Sequence, residues 1–235
     1  MNKKNIALGA ALVVLVVWLA APDVPKRTNR TLAKAFPAGL LESPASCTTP
    51  QWPNEARRYE VDGVTVLNFQ IDEAGNIADA TVARSSGWRL LDEAAMRSLV
   101  KCKFKAGLDE HSRTATYPIQ FVWTLTGPAT IRPALVAGSC APSGRFAGFE
   151  GFNRDPSGTD GVLVRFLVNE TGTPYAVKAE PADGQALQAR AAMEYIQTCK
   201  FATDPSVPGE RTDTMYGRVL VQAKRQGKAQ AAKGS

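Results

Sequence analysis

Apolar and polar side chains alternate between positions 65 and 71. Thr65, Leu67, Phe69 and Ile71 fall on one face, and Val66, Asn68 and Gln70 on the other. A period of two predicts a half-buried strand. The segment DEAGN (72–76) follows, and its Gly75-Asn76 pair can supply the positive-φ residues of a hairpin turn. The stretch 77–86 is therefore predicted to return as a second strand. The period then changes. Leu91, Ala95 and Leu99 recur every four residues with Cys102 one turn further on, while Arg97, Lys101 and Lys103 fall mostly toward solvent. This predicts an amphipathic helix within 87–104, with Ser85 or Ser86 as its cap. Ile119, Phe121, Trp123 and Leu125 alternate again as a third strand. Upstream, Trp52-Pro53 precedes NEARRYE, and proline favours the first turn of a helix. Helix, strand, strand, helix, strand predicts an α+β unit: a small three-stranded antiparallel sheet with helices on one face.

The pattern then recurs. VDGVTVLNFQI (61–71) is echoed by TDGVLVRFLV (159–168), and the turn DEAGN by NETGT (169–173). Two helical patterns share AAM and end in CKF, at 87–104 and 184–201, and strand-like runs close each copy at 116–125 and 214–223. Gly63 maps to Gly161, Cys102 to Cys199 and Phe104 to Phe201, so the offset stays at 97 or 98 over some forty positions. This predicts a duplication, with domains over 47–127 and 138–223 joined by a linker at 128–137. The second copy departs at its start, where CAPSGRFAGFEGFNRD (140–155) replaces the first helix. Phe146, Phe149 and Phe152 are expected to pack on the sheet without a regular helix, in preference to forming a ligand loop.

Composition changes the picture at the ends. Ile6–Ala21 is an apolar run of 16 preceded by Lys3 and Lys4. It is longer than a usual signal-peptide core and shorter than a usual span. Pro22 and Leu19 disfavour cleavage, and Trp18 suits an interfacial anchor. Residues 1–21 are thus expected to be a signal anchor or a signal peptide, either of which exports the rest, with a linker over 22–46. The net charge of +6 also divides. Residues 1–46 carry +4 and a basic tail over 224–235, expected to be disordered, another +4, while 47–222 hold 18 basic and 20 acidic groups. A folded body without excess positive charge argues against nucleic acid as a partner. Four cysteines (Cys47, Cys102, Cys140, Cys199) in an exported chain suggest two disulfides with three possible pairings, and free thiols are the alternative. Under the duplication the simplest pairing is Cys47–Cys102 and Cys140–Cys199.

The first copy resembles the C-terminal domain of the TonB family of energy transducers. The resemblance rests on Trp52-Pro53 with Ala56-Arg57-Arg58, Gly63-Val64, Asp72 to Gly75, Ser85-Ser86-Gly87, Leu91-Asp92-Glu93-Ala94-Ala95, and Phe104 followed by Ala106. The second copy looks like a degenerate member that keeps Gly161-Val162, the hairpin and Cys199-Lys200-Phe201. The resemblance implies two tandem three-stranded antiparallel domains, a periplasmic location, and recognition of an extended partner segment by the edge of the last strand. Carried onto this chain, the edge comprises Tyr117, Ile119, Gln120, Phe121, Val122, Trp123 and Leu125. The implied partners are outer-membrane transporters or other periplasmic proteins, and the inner membrane through residues 6–21 if these are uncleaved.

Catalytic constellations are sparse. Ser85, Ser86 and His111 are the only loose nucleophile–base candidates, and no GxSxG, HExxH or phosphate-binding loop occurs. Adjacent Asp92 and Glu93 point to different helix faces, and His111 lies in a polar loop. No enzyme activity, cofactor or metal is expected. Two functions remain: an energy transducer acting on outer-membrane transporters, or a tethered adaptor that uses the same fold without a motor. Residues 6–21 contain no His, Ser or charge, and only about 25 residues follow before the first domain, which favours the adaptor, while the family resemblance favours the transducer.

Overall fold

The computed structural model describes residues 36–151, 160–180 and 184–222. The candidate anchor at 6–21 and the basic tail lie outside them, as does Phe152. Among the described residues no helix is long and apolar enough to cross a membrane.

The chain enters the first sheet through a short helix, α1 (Asn54–Arg58), which starts directly after Pro53 as its sequence predicts. Strand β1 (Gly63–Ile71) buries Thr65, Leu67, Phe69 and Ile71, and pairs with β2 (Ile77–Arg84). Gly75 closes this hairpin at φ +81°, and a Cβ there would overlap the Phe104 carbonyl oxygen, so only glycine fits. Helix α2 (Arg89–Leu99) buries Leu91, Ala94, Ala95 and Leu99. Trp88 is its N-cap residue, without a side-chain cap: the Ser85 hydroxyl donates to Asp92, and the Ser86 hydroxyl is bonded to the backbone of Trp88. A short helix, α3 (Glu110–Thr114), capped by the Asp109 carboxylate, leads into β3 (Tyr117–Trp123), which pairs antiparallel with β1. The order of this sheet is β2-β1-β3. Leu125, expected within the last strand, lies beyond its end.

The joining segment contributes β4 (Ala134–Leu135), and the second sheet follows. It is built from β5 (Phe146–Gly151), β6 (Val162–Val168), β7 (Pro174–Glu180) and β9 (Thr214–Val221), in the order β5-β9-β6-β7. Helix α4 (Ala186–Gln197) lies against β7 and β6, and the two-residue β8 (Phe201–Ala202) pairs with β4. This sheet therefore has four strands where three were expected. The Phe-rich segment supplies the extra one: Phe146 and Phe149 are buried, and extension lets both reach the core while the main chain pairs with β9.

Strand β6 is buried along its whole length because both faces are covered. Val162, Val164, Phe166 and Val168 join the core under α4, whereas Leu163 and Leu167, with Tyr216, join the core of the first half. Parts of the chain read from sequence as connections are also packed. Phe36, Leu40 and Leu41 lie against the first core, and Arg132 of the joining segment is ion-paired to Glu60 at 3.0 Å. The disulfides are Cys47–Cys102 and Cys140–Cys199, and no cysteine is free.

Candidate interaction edge

Strand β3 exists because its sequence alternates. Trp123 is buried, and Ile119 and Phe121 are half-buried against the first core, while Gln120 is exposed and Val122 is 52% exposed. The strand is pinned at both ends. The Tyr117 hydroxyl donates to the Ser112 carbonyl at 2.9 Å, and its ring lies 5.8 Å from that of Phe69. The Trp123 indole N–H donates to Thr65 Oγ1 at 3.3 Å, with the tilted ring of Trp52 6.3 Å away. Thr65 in turn donates to Asp92, whose buried carboxylate also accepts from the Ser85 hydroxyl and, at 2.9 Å, from the Ser86 N–H. One carboxylate thus ties the 85–87 loop, β1 and β3 together. Glu93 points the other way, to Arg89 and Arg97.

Several strands present an unpaired side, and among the strands of the two larger sheets in the described residues β3 has the regular one. The β1–β2 pairing breaks register twice, and Asp79 in β2 sits at φ +48°. The β6–β7 pairing breaks once, beside Ala176 at φ +49°, and the Ala176 carbonyl is taken by the Tyr59 hydroxyl. Strand β5 carries a bulge of its own. Bulges bend and twist an edge and discourage strand addition. Strand β3 pairs with β1 through seven consecutive residues without a break, and among the described residues no strand lies on its other side. Pro118 within it is a residue tolerated on an edge strand rather than a central one.

The strand in the same place in the second sheet is β9, since Gly217 faces Val164 of β6 as Ile119 faces Leu67 of β1. Its outer side is covered by β5. Both halves contain a paired set of phenylalanines that needs a lid. Phe149 of β5 stands 5.6 Å from Phe166 and 5.6 Å from Phe201. Phe36 stands 6.2 Å from Phe69 and 6.1 Å from Phe104. In the second half the lid arrives on a strand and closes the edge. In the first it arrives on a segment of helical turns and leaves the edge open. Neither Phe36 nor the strand character of 146–151 was legible in the sequence. The one available signal was the contrast between Ile119 and Gly217.

The edge itself is uncharged. Charge collects between the halves instead. Arg165 is buried under the rings of Tyr59 and Trp88, at 5.3 and 5.8 Å, and bonds Glu180 and, at 2.7 Å, Glu55. Arg58 binds Asp213 with two hydrogen bonds and holds its carboxyl below the usual carboxylate range. Burial raises Asp62 and pushes Tyr216 up to about 12. Among the described residues no group of His, Cys, Asp and Glu is placed to hold a metal ion.

Residues 48–125, about a third of the chain, match the family model described as Gram-negative bacterial TonB protein C-terminal. The match spans α1 to β3 and includes the open edge. No curated protein matches the chain.

Proposed function

We propose that this is a periplasmic TonB-like interaction protein that captures an extended segment of a partner protein by strand addition on β3. The observation that carries the proposal is the unbroken β3 edge, set within the TonB C-terminal match. Unpaired N–H and C=O groups along β3 supply affinity, and exposed Gln120 and Val122 supply side-chain contact. The second half reads as a degenerate second copy. Supporting this, the Phe104 N–H to Gly75 carbonyl bond (2.8 Å) has a counterpart 97 residues on, Phe201 to Gly172 (2.9 Å), and each half carries one disulfide at matching positions. Since β5 covers β9, the chain offers one recognition edge rather than two.

The partner is an outer-membrane transporter or another periplasmic protein. A tethered adaptor without energy transduction is favoured over a working transducer by one further observation. Phe36, Leu40 and Leu41 pack against the first core, so only residues 22–35 separate that packed segment from the apolar run. Fourteen residues reach at most about 50 Å when fully extended.

In-cell photo-cross-linking from Gln120 and Val122, with Arg84 on β2 as control, tests the proposal. A partner captured from β3 and not from β2 is the expected result, and equal capture from both overturns the assignment to β3. A captured transporter lost on collapse of the proton gradient identifies a transducer. Capture indifferent to the gradient identifies an adaptor.

A further inference from the structure

The two lids also define what kind of strand β3 accepts. Resting on the strand-addition reading, we infer that β3 takes an antiparallel segment with small side chains at its core-facing positions opposite Ile119 and Phe121, and that it rejects aromatic segments such as the chain's own β5.

The inference starts from the occupied edge. On β9, Phe149 lies opposite Val219 and Gly151 opposite Gly217. The Phe149 ring leans over Gly217: a Cβ on that glycine would lie 2.6 Å from Phe149 Cζ and would overlap the Glu150 carbonyl. Gly217 is therefore the notch that admits both the ring and the close approach of β5. Three phenylalanines, Phe149, Phe166 and Phe201, then close over one another.

The same place on β3 is filled twice. Ile119 stands where Gly217 stands, with a branched side chain packed on the core, and Phe36 already covers Phe69 and Phe104. On the other side of Phe121, Trp123 and Trp52 close the space. A strand arriving at β3 finds no notch for a large core-facing residue, so its affinity must come from main-chain bonds and from its outer face. That outer face meets Gln120 and Val122. In the second sheet, Glu150 meets Arg218 at the position corresponding to Gln120. An acidic side chain placed opposite Arg218 in the register of β9 would stand opposite the uncharged Gln120 on β3. The fitting segment alternates small residues with uncharged polar or aliphatic ones. The same difference keeps β5 of one molecule from adding to β3 of another, a route to open-ended chains that an exposed strand edge otherwise invites.

Two synthetic peptides with the sequence Arg145–Gly151, one natural and one carrying Phe149→Ala, separate the possibilities. Each is titrated into the full-length 15N-labelled chain and read at the Gln120 and Val122 amides, which report β3 alone. The alanine peptide is expected to bind at least about tenfold more tightly than the natural one, an energy gap of about 1.4 kcal/mol. In the Ile119→Gly/Phe36→Ala variant the order inverts. Ile119→Ala, a milder change, narrows the gap, and the comparison on the unaltered chain needs no variant at all. Equal binding of the two peptides, or tighter binding of the natural one to the unaltered chain, overturns the size rule while leaving strand addition intact. A third peptide that also carries Phe146→Ala and Glu150→Gln meets every stated requirement, and its failure to shift the β3 amides overturns strand addition itself.

Discussion

Asp92 shows how one side chain can do structural work that its position in the sequence disguises. Its place in the first turn of α2 suggests a favourable interaction with the helix N-terminus, yet the residue is 8% exposed and its carboxylate is turned inward to Thr65, Ser85 and the Ser86 N–H. Asp92→Ala leaves buried donors unsatisfied and is expected to cost about 3 kcal/mol. A lowered urea midpoint with an unchanged slope checks this, and loss of the fixed Trp123 environment should accompany it, since Trp123 is bonded through Thr65. Tyr216 carries a different signature. Burial holds its proton up to about 12, so in the window from about 10 to 12 the unfolded state ionises first and stability falls as pH rises. Below that window the phenol contributes no slope. Tyr216→Phe should remove about 2–3 kcal/mol of alkaline destabilisation, read from urea titrations at pH 9 and near 11.5.

At the scale of elements, the hairpin turns fix both sheets. Gly75 and Gly172 sit at φ +81° and +74°, and at each a Cβ would overlap a phenylalanine carbonyl, Phe104 or Phe201. Alanine at either position is expected to cost roughly 3 kcal/mol, since the left-handed backbone and the overlap act together. Paired thermal melts of Gly75→Ala and Gly172→Ala should show matching losses, and one harmless substitution would mean that the two turns differ. These turns were legible because they are local: a glycine three residues after an Asp or Asn, between extended runs, has few other readings. The same holds for β1, where Leu67, Phe69 and Ile71 occupy one face in sequence and in space. Strand β5 was not legible. Phe146-Ala-Gly-Phe-Glu-Gly has neither a clean period of two nor a helical period, and it is made a strand by the notch at Gly217, 66 residues further along the chain. The free side of β3 was expected only through the family resemblance. What distinguishes it from the free sides of β2 and β7 is regular register, which depends on bulges at Asp79 and Ala176 that no residue type announces.

For the molecule as a whole, the duplicated pattern predicts two domains on a linker; each half has a core of its own, and Leu163, Leu167 and Tyr216 of the second half pack into the core of the first. The sequence signal for this was Arg165, a charge in the middle of VLVRFLV that a half-buried strand would turn to water. Here it is turned to the other half, where Tyr59 and Trp88 cover it and Glu55 pairs with it, while Glu180 of the neighbouring strand β7 supplies the second carboxylate. Glu180 is 12% exposed and Glu55 48%, so most of the energetic consequence of losing the arginine falls on Glu180, whose charge would remain buried without its partner. Arg165→Ala is therefore expected to cost about 3–5 kcal/mol, whereas Arg165→Met with Glu180→Leu, which removes both charges and keeps apolar volume, should recover most of it. Because Leu163, Leu167 and Tyr216 belong to the first core, the unaltered chain should unfold in one transition, with Trp fluorescence and far-UV circular dichroism coinciding. In Arg165→Ala the coupling weakens and the two probes should separate, Trp88 reporting the earlier event because it lines the contact. Coincident transitions in that variant would show that the apolar contact alone joins the halves. A separated pair already in the unaltered chain would show that they fold independently.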